Sequence, residues 1–135
     1  MTFTQLNGGI DWLEQLFLNK VGGSNMTLRL YTNNHAPVVT YAAAAFTECG
    51  IAGYAAVPLV AANWAGATAA GVADYTYPAI TFTFNANAGG TTIFGAFLTN
   101  GAGTAVMAAL LDTAFAVPAG GGSVTINLED EKQQC

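Results

Sequence analysis

Charge is what this chain has least of. Only 8% of its 135 residues are Asp, Glu, Lys or Arg, against about a quarter in an ordinary globular domain. The cations are Lys20, Arg29 and Lys132, with one histidine, His35. Binding a nucleic-acid backbone means neutralising several phosphates, so three scattered cations and a net charge of −5 argue against a nucleic-acid partner. An enzyme gathers titratable groups in a pocket, and few exist here to gather. The opening stretch, Met1 to Gly9, lacks the basic residues and apolar run of a secretory signal, which points to synthesis in a reducing cytoplasm. Residues Ile51 to Ala73 carry no charge and are long enough to cross a bilayer. Gly53, Pro58, Asn63, Gly66 and Gly71 interrupt that run, and its flanks are Glu48 and Asp74, so no membrane span is expected.

Apolar residues make up 53% of the chain, and Ala supplies much of that, with Gly and Thr plentiful. A chain of this length is expected to form one domain, 1–135, and to bury roughly two thirds of its unfolded surface. It needs no metal or disulfide staple to fold. So little charge cannot cover the outside of a lone monomer, and exposed apolar patches mark interaction sites. An assembled subunit is the expectation.

Periodicity gives the fold class. Ile10, Leu13, Leu16, Phe17 and Val21 fall on one helical face, with Asn7 as N-cap, Lys20 near the end and Gly22-Gly23 as the stop. This predicts one short N-terminal helix within 1–23 that plugs one end of a sheet, with docking into a neighbouring subunit as the alternative. After Gly23 the period becomes two. Met26, Leu28 and Leu30 alternate with Thr27, Arg29 and Tyr31 in a half-buried strand ending at Asn33-Asn34. Thr76 to Phe84 alternates again, with Ile80, Phe82 and Phe84 on one face. Thr91 to Thr99 and Thr104 to Leu111 flank a hairpin turn at Asn100-Gly101-Ala102-Gly103. Val124, Ile126 and Leu128 alternate with Ser123, Thr125 and Asn127 in a closing strand, and 129–135 reads as a flexible tail. The segment from Tyr41 reads as an extended loop leading into a strand near Phe46 to Val57. The expected architecture is mainly β, an antiparallel sandwich or barrel of the jelly-roll kind.

The residues capable of chemistry each have a plainer role. Cys49 would need a base to become a nucleophile; His35 is the sole candidate and Glu48 would raise the thiol pKa, so a buried structural thiol is expected. Cys135 is terminal and unsuited to pairing with Cys49. His35 follows Asn33-Asn34 in a turn and lacks partners at ligand spacing. Glu129-Asp130-Glu131 are consecutive, so a strand would send them to opposite faces, unlike a calcium site. Gly120-Gly121-Gly122-Ser123 lacks the lysine of a phosphate loop and reads as a turn. Asn25-Met26-Thr27 has the spacing of a glycosylation acceptor, which has no meaning without secretion. Trp12, Trp64, Tyr75 and Tyr77 could stack on a sugar, although packing is the commoner fate of such residues. No catalytic, cofactor-binding or metal-binding residue is expected.

The order of segments resembles a family of short virion structural proteins of tailed bacteriophages. The likeness runs from Ile10-Asp11-Trp12-Leu13-Glu14-Gln15-Leu16 through Leu28-Arg29-Leu30-Tyr31-Thr32-Asn33-Asn34 and Phe46-Thr47-Glu48-Cys49-Gly50-Ile51-Ala52-Gly53-Tyr54, with Trp64 following. It continues in Ala79-Ile80-Thr81-Phe82-Thr83, Ile93-Phe94-Gly95-Ala96-Phe97-Leu98-Thr99, Ala116-Val117-Pro118-Ala119-Gly120 and Val124-Thr125-Ile126-Asn127-Leu128. What the resemblance implies is a β-sandwich on a phage particle: a cement or decoration protein on the outer capsid surface, made in the host cytoplasm. The partners expected with it are the major capsid protein and further copies of itself, as a homotrimer. A head-fibre or tail accessory protein that binds carbohydrate or host is the alternative.

Overall fold

The computed structural model of the chain describes residues 1, 3–9, 26–69, 72–86, 90–129 and 133–134. It is mainly β, in two antiparallel sheets. The strands are β1 (Thr4–Gln5), β2 (Thr27–Tyr31), β3 (Val57–Pro58), β4 (Ala65–Ala69), β5 (Val72–Phe84), β6 (Thr92–Thr99), β7 (Ala105–Ala116), β8 (Gly122–Glu129) and β9 (Gln133–Gln134). One sheet has the order β1-β7-β6-β2-β3 and the other β4-β5-β8, with β9 also on β5. Neither sheet closes on itself, so of the two expected architectures the sandwich is the one formed.

The alternating residues build the space between the sheets. Leu28, Leu30, Ile93, Ala96, Leu98 and Val106 of the first sheet meet Phe82, Phe84, Ile126 and Leu128 of the second in one buried cluster. Burying a side chain of this size stabilises the fold by about 1.5–3 kcal/mol. The hairpin β6–β7 turns at Asn100, whose side-chain Oδ1 accepts from the backbone N–H groups of Ala102 and Thr104, each at 3.0 Å. Gly103 takes φ +82° there, a conformation other residues rarely adopt. Asn therefore supplies the acceptor and Gly the left-handed step, as the sequence indicated.

Bulges accommodate what a regular ladder could not. Pro78 cannot donate to a ladder, and it sits where β5 slips against β8, between the pairs Tyr77↔Leu128 and Ile80↔Ile126. On β7, Gly95 pairs with Leu110 and Ile93 with Phe115, so residues 111–114 bow outward opposite Phe94 alone. The strand expected to end at Leu111 thereby continues to Ala116.

Two expectations need correction. Tyr31 was read as the solvent side of a half-buried strand, yet it is fully buried. The first sheet has a second covered face, where Leu6, Tyr31, Phe46, Phe97, Ala105 and Ala108 cluster. Asn33 folds the cover back: its amide donates to the Ala45 carbonyl and its Oδ1 accepts from the Thr47 N–H, both at 2.8 Å. Phe46 then stacks on Phe97 with ring centroids 5.0 Å apart. Secondly, no strand runs from Phe46 to Val57. That stretch holds one bridge, Tyr31↔Glu48, after a 3-10 turn at Ala43–Ala45. Ala favours helical geometry, but a run this short closes only one turn. Within the stretch expected to be a tail, Gln133–Gln134 pairs with Ala73 and Val72. The large hydrophobic side chains exposed among the described residues are Val38, Val39, Val60 and Leu110. The helix expected over Ile10 to Val21 lies outside the described residues, although residues 7–9 are helical.

Candidate functional surface

The described polar side chains with the most connections gather at the outer edge of β2. Arg29 Nη1 donates to both carboxylate oxygens of Glu48, at 2.9 and 2.8 Å, and Arg29 Nε donates to Thr99 Oγ1 at 3.2 Å. The Tyr54 hydroxyl donates to Glu48 Oε1 at 2.9 Å and accepts from the Leu30 N–H at 3.1 Å. The Cys49 N–H donates to the Leu30 carbonyl and the Leu59 N–H to that of Met26. An irregular segment thus satisfies the backbone of β2 beyond the two pairs made by β3, and the cluster's chemistry is spent on closing a sheet edge. Burial raises the Tyr54 hydroxyl pKa, opposed by the Leu30 hydrogen bond and reinforced by Glu48. It remains a neutral donor at physiological pH.

Cys49 is buried and unpaired. Burial pushes its thiol up, the Ile51 backbone hydrogen bond opposes that, and the Glu48 charge adds to it. A thiol held protonated is a poor nucleophile. His35 lies on the other side of the first sheet. Cys49 packs with Leu28 and Leu30 between the sheets, whereas the His35 carbonyl accepts from Tyr31 on the opposite face and its ring meets Tyr41. The chain does not bring this pair together.

Of the aromatic candidates, Trp64 and Tyr77 are brought together. Trp64 is half-buried and meets Tyr77 edge-on at 5.0 Å. The Tyr77 hydroxyl accepts from the Val60 N–H at 2.9 Å and lies 3.3 Å from Asn63 Nδ2, so it holds the turn at Ala61–Asn63. Gly121 closes a turn onto the Pro118 carbonyl ahead of β8. Glu129 ends β8, while Asp130, Glu131, Lys132, Cys135, Trp12, Lys20 and Asn25 lie outside the described residues. No group of three His, Cys, Asp or Glu able to hold a metal occurs among the described residues. No described helix is long and apolar enough to cross a membrane.

What remains is the outside of the sandwich. Thr76, Thr81, Thr83, Ser123, Thr125 and Asn127 are exposed on the second sheet, and the exposed loops are chiefly Ala, Gly, Thr and Asn. Glu48 and Asp112 are exposed carboxylates. The scarcity of charge and the abundance of Ala, Gly and Thr were legible in the sequence. No protein-family model, curated protein or solved structure matches the chain.

Proposed function

We propose that this chain is a non-enzymatic structural subunit of a tailed-phage virion, a cement or decoration protein that binds the outer surface of the capsid and stabilises the head. The observation that carries the reading is the outside of the sandwich. Among the described residues it carries few charges and is built mainly from small side chains on the second sheet and the loops, while Arg29, Glu48, Tyr54 and Tyr77 are occupied in internal contacts. Small side chains let another backbone approach closely and cost little rotamer entropy when covered. Repetition of such a contact over a symmetric lattice turns weak single contacts into firm attachment. The two-sheet fold agrees with the sandwich that the resemblance to virion proteins implies.

Co-sedimentation with emptied phage heads tests this. Saturable binding at a fixed ratio to the major capsid protein, and added density on the shell in electron cryo-microscopy, are expected. Density on the tail alone, or no association, overturns the reading. Hits on a glycan array that vanish in Trp64→Ala would favour the carbohydrate-binding alternative.

A further inference from the structure

Of the four sheet edges, β8 is the longest and, among the described residues, the least protected. The edges of the first sheet, β1 and β3, are two residues each, and β3 ends on Pro58. The edge strand β4 has five residues, none with a large side chain. By contrast, β8 runs eight residues from Gly122 to Glu129, with β5 as its strand partner among the described residues. It has no Lys and no Pro, and the irregularity in its ladder spans Pro78 on the β5 side. Those are the devices that keep an edge from recruiting another strand.

We propose that β8 pairs antiparallel with β8 of a second copy of this chain, about a twofold axis at Thr125. Directly opposed residues of an antiparallel pair share a face. With the axis at Thr125, Thr125 meets Thr125, Ser123 meets Asn127 and Val124 meets Ile126. The polar outer row and the apolar inner row both continue across the joint. The same sheet already displays this pairing, since Thr81 and Thr125 are opposed with their hydroxyls 2.8 Å apart. Half-buried Val124 gains cover. Charge fits too: the one ionisable side chain of β8 is Glu129, at its end. Antiparallel pairing sends the two Glu129 residues to opposite ends, so no like charges face each other. A slip by one residue would set polar against apolar along the whole joint, which fixes the faces. The contact is isologous and closes at two copies, in place of the homotrimer expected from the sequence. It belongs to the edge itself and does not rest on the virion reading.

The joint is small, so it is tested over a concentration series, with Cys135→Ser throughout. Sedimentation equilibrium should show the mass doubling as concentration rises. Thr125→Lys sets two ammonium groups on the axis and should hold the chain at monomer mass with an unchanged circular-dichroism spectrum. Asn127→Lys should weaken the dimer less. Under mild oxidation Thr125→Cys should form a disulfide dimer, because opposed Cα atoms fall within disulfide reach, whereas Asn127→Cys lies too far from its own copy. If Thr125→Lys fails to fold, the cross-linking pair decides. A chain monomeric at every concentration without a Thr125→Cys cross-link, a trimer, or a dimer indifferent to Thr125→Lys overturns the proposal. Head binding by a chain that stays monomeric would leave the particle reading standing and remove this one.

Discussion

Tyr31 and Gly95 show how tightly the covered face of the first sheet is fitted. A methyl group at Gly95 would overlap the Tyr31 ring and hydroxyl and the Ala109 carbonyl, so Gly is required here for close approach. Gly95→Ala is therefore expected to destabilise the protein by about 1–3 kcal/mol, read as a lower urea midpoint. An unchanged midpoint would mean that Tyr31 can move aside. The Tyr31 hydroxyl lies 3.1 Å from the His35 carbonyl and 3.2 Å from that of Ala109, and burial pushes its pKa up to about 12. An unfolded tyrosine ionises near pH ~10. The folded state holds the proton more tightly, so this contribution to stability is complete below pH ~10 and is lost as pH rises towards 12. Tyr31→Phe should cost about 1 kcal/mol at neutral pH and flatten the alkaline fall in stability. Identical alkaline slopes in variant and parent would remove Tyr31 as a cause.

At the scale of elements, β8 offers the sharpest contrast between neighbouring residues. Ile126 is 1% exposed and Thr125 faces outward. Ile126→Asp buries an unpaired carboxylate and leaves a cavity, costing at least ~3 kcal/mol. Thr125→Asp should change monomer stability by no more than about 0.5 kcal/mol. Thermal melts that rank the two equally would contradict the strand's orientation. This alternation was legible in the sequence, as were the strand at Thr27–Tyr31, the aromatic face of β5 and the Asn100 turn. The segment from Tyr41 to Ala69 was not. Its shape depends on partners distant in sequence: Asn33 clamping Ala45 and Thr47, Tyr54 reaching the Leu30 N–H, and Leu59 donating to Met26. A two-residue period shows which side chains share a face. It says nothing of which loop folds over that face.

At the scale of the molecule, the same limit explains why both sides of the first sheet are covered while the second keeps an open outer face. Tyr31 looks like a surface residue until Leu6 and Phe46 are brought onto it by hydrogen bonds from Asn33 and by pairing of β1 with β7. Of the candidate surface, the missing charge was legible from composition alone. The gathering of Thr76, Thr81, Thr83 and Thr125 on one sheet needed the register of β5 against β8.

The pairing of that first sheet also sets an order of events during synthesis. Thr4 finds its strand partner at Ala108, and Arg29 finds its own at Phe97. β1 and β2 therefore leave the ribosome long before their partners on β7 and β6 exist, whereas β4 and β5 can join as soon as both are made. Such distant pairings favour slow folding, on the order of milliseconds to seconds in β-rich domains. Ile126 and Leu128 close the core from the last long strand. A ribosome stalled before Gly122 would thus display a nascent chain with its interior still open, a substrate for chaperones and proteases that the finished protein no longer offers.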